Sequence, residues 1–85
     1  MWYVYIIQCK DGKLYTGITN DINRRLAEHN SGHGCRFTKF RKPVKLVYCK
    51  KAETKSEALR KESDIKKLRR EEKLELVRSF GFSYK

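Results

Sequence analysis

Hydrophobic and polar positions change rhythm several times along the chain, and each change marks an element. Residues Trp2 to Cys9 are apolar almost without a break and rich in aromatic and β-branched side chains. Such a run fits a strand covered on both faces, hence a central one. Asp11-Gly12 signals a tight turn, and Lys13 to Thr19 reads as a second strand. Two turn lengths suit these residues. A two-residue Asp11-Gly12 turn pairs Lys10 with Lys13 and sends Tyr5 and Tyr15 to opposite faces. A three-residue Lys10-Asp11-Gly12 loop, with Gly12 left-handed in a bulged turn, pairs Cys9 with Lys13, Tyr5 with Gly17 and Tyr15 with Ile7. Both tyrosines then share one face.

A helix follows, with Asp21 or Asn20 as N-cap, Ile22 and Leu26 as its buried row and Gly32 as its stop. Pro43 to Cys49 alternates as a third strand, with Val44, Leu46 and Tyr48 on one face. Thr54-Lys55-Ser56-Glu57 is a capping box opening a long helix that reaches Arg69 or Arg70. A last short helix carries Leu74, Val77 and Phe80. No repeat, low-complexity tract or linker interrupts this order. The series β-β-α-β-α-α predicts an α+β fold, a small three-stranded antiparallel sheet with helices packed against it.

Eighty-five residues make one domain, 1–85, because so short a chain does not support two cores. Ten aromatics and 39% hydrophobic residues suffice for one compact core and exclude a disordered tail. Charge changes the picture more. Lys and Arg number 21 against 10 Asp and Glu, for a net charge of +11. An excess of this size on a small fold selects polyanions, nucleic acid before acidic membrane. The alternative is a basic protein with no dedicated partner. From Arg36 to Lys51 there are seven basic residues and no acid, the most polarised stretch of the chain. Cys9, Cys35 and Cys49 are odd in number and lack CxxC spacing, which points to a reducing compartment, the cytoplasm. The apolar run at the N-terminus is too short to span a bilayer and lacks the flanks of a signal peptide.

Several residues carry candidate chemistry. Glu62 lies within the apolar stripe of Ala58, Leu59, Ile65 and Leu68, while Lys61, Lys66 and Lys67 solvate the outer face. An inward carboxylate is costly unless paired or bound to a metal. The competing reading is a structural salt bridge to Arg25 or another base. Arg24 points away from the buried row, whereas Arg25 sits at its edge with His29 one turn further on. An arginine there can grip a phosphate through two nitrogens, or it can be an ordinary surface arginine. A zinc cluster of His29, His33 and Cys35 lacks regular spacing and an evident fourth ligand. Tyr3, Tyr5, Tyr15 and Gly17 can be read as strand and core residues. A tyrosine near cations can also accept or shuttle a proton.

Taken in order, Tyr3-Val4-Tyr5, Tyr15-Thr16-Gly17, Arg25, His29 and Glu62 resemble the GIY-YIG nuclease module. The resemblance covers about residues 1 to 76, leaving the end of the C-terminal helix and a short tail. It is closest to short, stand-alone bacterial members, through Asp11-Gly12-Lys13-Leu14-Tyr15-Thr16-Gly17-Ile18-Thr19 and the His29-Asn30 pair. The first glycine of the family name is Tyr3 here, the middle of the second triplet is Thr16, and Ile18 stands where excision-repair nucleases carry a lysine.

The resemblance implies a phosphodiesterase with one divalent metal, magnesium or manganese, held by Glu62. Tyr5 would orient or deprotonate the attacking water, and Tyr15 would sit against the scissile phosphate. Arg25 would neutralise phosphoryl charge, His29 would hydrogen-bond or transfer a proton, and Gly17 would let the backbone approach. Both tyrosines must then share a face, as the three-residue loop allows. Tyr3, Gly17, Arg36, Lys39, Arg41 and Lys42 are the expected nucleic-acid contacts. The function expected is a metal-dependent endonuclease or nickase cutting DNA, before RNA, in repair or processing. A protein partner would supply targeting, and monomer and weak dimer are equally compatible with the sequence. The alternative is a non-catalytic nucleic-acid-binding module, for DNA or RNA, that keeps the fold.

Overall fold

The computed structural model describes residues 1–84, with side chains described through Phe80. Strands β1 (Trp2–Gln8), β2 (Leu14–Thr19) and β3 (Lys45–Ala52) form one antiparallel sheet in the order β2-β1-β3. The continuously apolar strand is therefore the central one. Val4, Tyr5, Ile6 and Ile7 are all buried, as a strand covered on both faces demands.

The hairpin takes the longer loop. Cys9 N–H donates to Lys13 C=O at 2.8 Å, and Gly12 N–H donates to Cys9 C=O at 2.9 Å. Gly12 has φ +87°, the left-handed geometry that closes a bulged turn. Tyr5 consequently faces Gly17 and Ile7 faces Tyr15.

Helices cover both faces of the sheet. On one side, Tyr5, Ile7, Cys9 and Val44 pack with Tyr15, Leu46, Ile22 and Leu26 of α1 (Ile22–Asn30), and Phe37 of α2 (Arg36–Lys39). On the other, Val4 and Ile6 pack with Ile65 of α3 (Lys55–Lys66) and with Leu76 and Val77 of α4 (Arg70–Tyr84). Asp21 caps α1 by accepting from Arg24 N–H at 3.0 Å, and Thr54 caps α3 by accepting from Glu57 N–H at 3.1 Å.

The α+β fold and the principal order β-β-α-β-α-α are as predicted, and four details differ. The single helical turn α2 stands between α1 and β3, too short to leave a periodic signature. β3 carries a bulge, with Ile6 opposite Tyr48 and Ile7 opposite Leu46, so Val47 is the extra residue. Tyr48 therefore leaves the face of Val44 and Leu46 and joins Val4 and Ile6, its ring 5.8 Å from that of Phe80. Third, α3 ends at Lys66, not Arg69. Lys67 N–H turns back onto the carbonyls of Ser63 and Asp64, and Arg69 N–H donates to the Glu72 carboxylate at 2.9 Å, starting a longer final helix. Fourth, Leu59 is 45% exposed, because α3 buries only the narrow line of Ala58 and Ile65.

Candidate active site

Tyr5, on the central strand, and His29, on α1, meet beneath the sheet. The Tyr5 hydroxyl is 3.0 Å from His29 Nε2, and His29 Nδ1 is 2.8 Å from Thr38 Oγ1. His29 and Thr38 have no exposed surface. The Tyr15 ring lies edge-on to His29 at 5.5 Å and stacks, tilted, against Phe37 at 5.6 Å.

The proton positions follow from counting donors. Thr38 Oγ1 donates to Cys35 C=O at 3.4 Å, which leaves it free to accept from His29 Nδ1–H. His29 Nε2 is then unprotonated and accepts the Tyr5 hydroxyl proton. The reverse tautomer would leave that proton without an acceptor, because the other polar neighbour, Arg25, only donates. Burial lowers the His29 pKa below 6.5, and the charge of Arg25 lowers it further, so the ring is neutral and can accept.

Both tyrosines are hard to ionise. Burial raises the Tyr5 hydroxyl above 10, although Arg25 opposes the rise by hydrogen bonding and by charge. Burial, reinforced by a hydrogen bond with Cys35, pushes Tyr15 up to about 12. Tyr15 is thus protonated near neutral pH and can donate a hydrogen bond.

Two glycines make this packing achievable. A Cβ on Gly17 would stand 2.7 Å from the Tyr5 hydroxyl oxygen and 3.2 Å from Tyr15 Cε1. The space at Gly17 therefore seats the Tyr5 ring, rather than only admitting a substrate backbone. A Cβ on Gly34 would strike the His29 ring and stand 2.7 Å from His29 Cα, so the loop after α1 wraps directly over the histidine.

Arg25 is partly buried at the rim and pairs with Glu28 at 3.0 Å. Glu62 is not its partner. Glu62 comes from α3, in the layer across the sheet, with its side chain 19% exposed and Lys66 Nζ at 3.5 Å. It acts on the Tyr5 hydroxyl only weakly, through its charge. Tyr5, Tyr15, Arg25 and His29 are thus brought together, and Glu62 stands off at electrostatic range.

A single carboxylate with one loose ammonium partner suits a hydrated hard cation such as magnesium, which keeps several waters and takes one or two carboxylates. Among the described residues no three His, Cys, Asp or Glu side chains converge, so the donor set is not that of a closed zinc site. The expected nucleic-acid residues do not share one setting. Arg36, Lys39 and Lys42 are exposed. Arg41 is not free: its Nε donates to Asp11 at 3.1 Å, its Nη1 to Phe37 C=O at 2.7 Å, and its guanidinium lies 4.4 Å from the Phe37 ring. Tyr3 lines a separate shallow groove with Asn20, Asp21, Cys49 and Lys51.

Thr38 and Gly34 are site residues that the sequence reading missed. Asn30 was singled out only as part of the His29-Asn30 pair, and its role was not read: its side-chain amide brackets Val44, accepting from its N–H at 2.7 Å and donating to its C=O at 3.2 Å. A polar residue immediately after His29, with a buried strand start downstream, was the available signal.

Residues 1–75 match the GIY-YIG catalytic domain. A UPF0213 protein of Staphylococcus saprophyticus is 52% identical over 75 residues, covering 88% of this chain and 92% of that protein. A UPF0213 protein of Staphylococcus aureus is 51% identical over 76 residues, covering 89% and 93%. The solution NMR structure of a UPF0213 protein from Bacillus halodurans superposes with a TM-score of 0.63 at 45% identity, covering 99% of this chain and 90% of that one. An E. faecalis protein solved by NMR gives 0.61 at 41% identity, covering 94% and 85%. The chain belongs to the GIY-YIG family, a nuclease family whose members generally use a divalent metal. Its fold matches that of the UPF0213 structures.

Proposed function

We infer that the protein is a divalent-metal-dependent endonuclease or nickase that hydrolyses DNA phosphodiester bonds, and that Glu62 holds the metal. The observation that carries this reading is the hydrogen-bonded series Tyr5–His29–Thr38, in which His29 and Thr38 have no exposed surface and Arg25 borders the Tyr5 hydroxyl. A structural role alone does not require a neutral imidazole aimed at a tyrosine hydroxyl beside a cation.

The Tyr5 oxygen takes a proton from water as its own proton passes to His29 Nε2. The water oxygen bonds to phosphorus and the phosphodiester P–O bond breaks, the departing alkoxide taking a proton from solvent. Tyr15, held protonated, donates to a phosphoryl oxygen, and Arg25 neutralises the charge that develops there. Glu62 would hold the divalent cation, which when bound would supply Lewis acidity to the hydrolysis. One copy of these residues cuts one strand at a time, so nicking is the elementary event.

Glu62→Gln keeps volume and removes the charge. Its stability should stay within about 1 kcal/mol of the parent, since the pair with Lys66 is a loose one. Cleavage of plasmid DNA in magnesium should fall by about 100-fold or more. Melting and cleavage are to be measured on one preparation. Parental cutting by Glu62→Gln would remove Glu62 from the metal site, whereas lost stability with proportionate activity would make it a structural ion pair.

A further inference from the structure

Phe40 is 84% exposed, the most exposed large hydrophobic side chain among the described residues. A single surface phenylalanine is ordinary, but its setting is not. It caps the C-terminus of α2, and Phe37, Thr38 and Arg41 around it are fastened inward. Thr38 bonds His29, Phe37 packs on Tyr15, and Arg41 is tied to Asp11 and Phe37, with its own C=O accepting from Lys10 N–H at 2.9 Å. The ring is therefore presented on a braced support that also holds the two tyrosines' surroundings.

Its neighbours are cations. Lys39 Nζ lies 5.5 Å from the ring centre, and Arg36 and Lys42 are exposed on the same segment. An apolar pocket on a protein partner would have to desolvate these charges without compensation. A polynucleotide satisfies both features at once, with phosphates for the cations and a base face for the ring. In an intact duplex that face is covered by stacking, and exposing it costs least where the base has no pairing partner.

We propose that Phe40 is a stacking platform for an unpaired base, and that the preferred substrate is DNA with an unpaired nucleotide beside the phosphate at Tyr15 and Arg25. This rests on the nuclease reading above, and the test separates the two. Binding is measured in EDTA, so that nothing is cut, by anisotropy of a duplex carrying one unpaired 2-aminopurine and of its fully paired counterpart. The parent binds the bulged duplex more tightly and quenches its fluorescence. Phe40→Ala loses about five- to hundredfold on the bulged duplex and little on the paired one, and loses the quench. Phe40→Trp keeps both properties, whereas Phe40→Leu, apolar without a π face, loses the quench. Equal losses on both duplexes, or parental behaviour of Phe40→Leu, overturn the proposal. Salt-sensitive binding unaffected by Phe40→Ala refutes the stacking alone. Failure of the parent to bind any DNA refutes the nucleic-acid reading and the proposal together.

Discussion

His29 has both ring nitrogens hydrogen-bonded and no exposed surface, and its protonation state decides what Tyr5 can do. In the unfolded chain it titrates near 6.5; in the fold, burial and Arg25 hold its pKa lower. Above about pH 6.5 neither state carries the proton, and the stabilisation from a neutral His29 is complete. As pH falls, the unfolded chain takes up a proton that the folded protein does not, so this stability is lost as pH drops through the folded pKa. His29→Gln should flatten the stability curve below about pH 6.5; equal slopes in parent and variant would exclude the assignment. Thr38 positions the ring. Thr38→Val leaves His29 Nδ1–H buried without its acceptor, costing about 1–3 kcal/mol, and cutting should fall by more than the folded fraction accounts for. Thr38→Ser should restore both, and its failure to do so would remove the hydroxyl from the mechanism. His29 was named from the sequence, but its contact with Thr38 was not legible there, because a threonine nine residues past a histidine carries no pattern. Tyr5, Tyr15 and Arg25 were legible only as an ordered set, since each alone reads as an ordinary core or surface residue.

At the scale of elements, the first hairpin was readable apart from one choice, and Gly12 made that choice by taking φ +87°. A slip of one residue there would have sent Tyr15 to the α3 side. β3 was half readable. Its alternation was correct through Leu46 and failed at Tyr48, because a bulge adds a residue without changing composition. The α1–β3 connection depends on Asn30, which holds the start of β3 by both ends of its amide. Asn30→Asp keeps the acceptor for Val44 N–H and removes the donor to Val44 C=O. It should destabilise by about 1–2 kcal/mol, readable as a lowered Tm. Asn30→Asp melting like the parent would show that the bracket is incidental and that Val44 packing alone fixes the strand.

For the whole molecule, composition supplied the sign of the partner's charge but not which cations meet it. The sequence segment from Arg36 to Lys51 looks uniform, yet the fold divides it. Arg36, Lys39 and Lys42 point to solvent, whereas Arg41 is spent on Asp11 and Phe37. The two classes should respond oppositely in one experiment. Each phosphate neutralised on duplex DNA contributes about −0.9 to the slope of log K against log salt. Replacing Arg36, Lys39 and Lys42 together by alanine should therefore make the slope shallower by roughly 2.7 while leaving Tm close to the parent. Arg41→Ala should lower Tm, through loss of its packing on Phe37 and its bond to the Phe37 carbonyl, and leave the slope of the folded protein nearly unchanged. Titrations at several salt concentrations, paired with melting curves, distinguish these outcomes. If Arg41→Ala flattens the slope as much as the triple variant does, its contacts with Asp11 and Phe37 give way to DNA on binding, and the division of the basic segment into partner-facing and fold-facing cations is wrong.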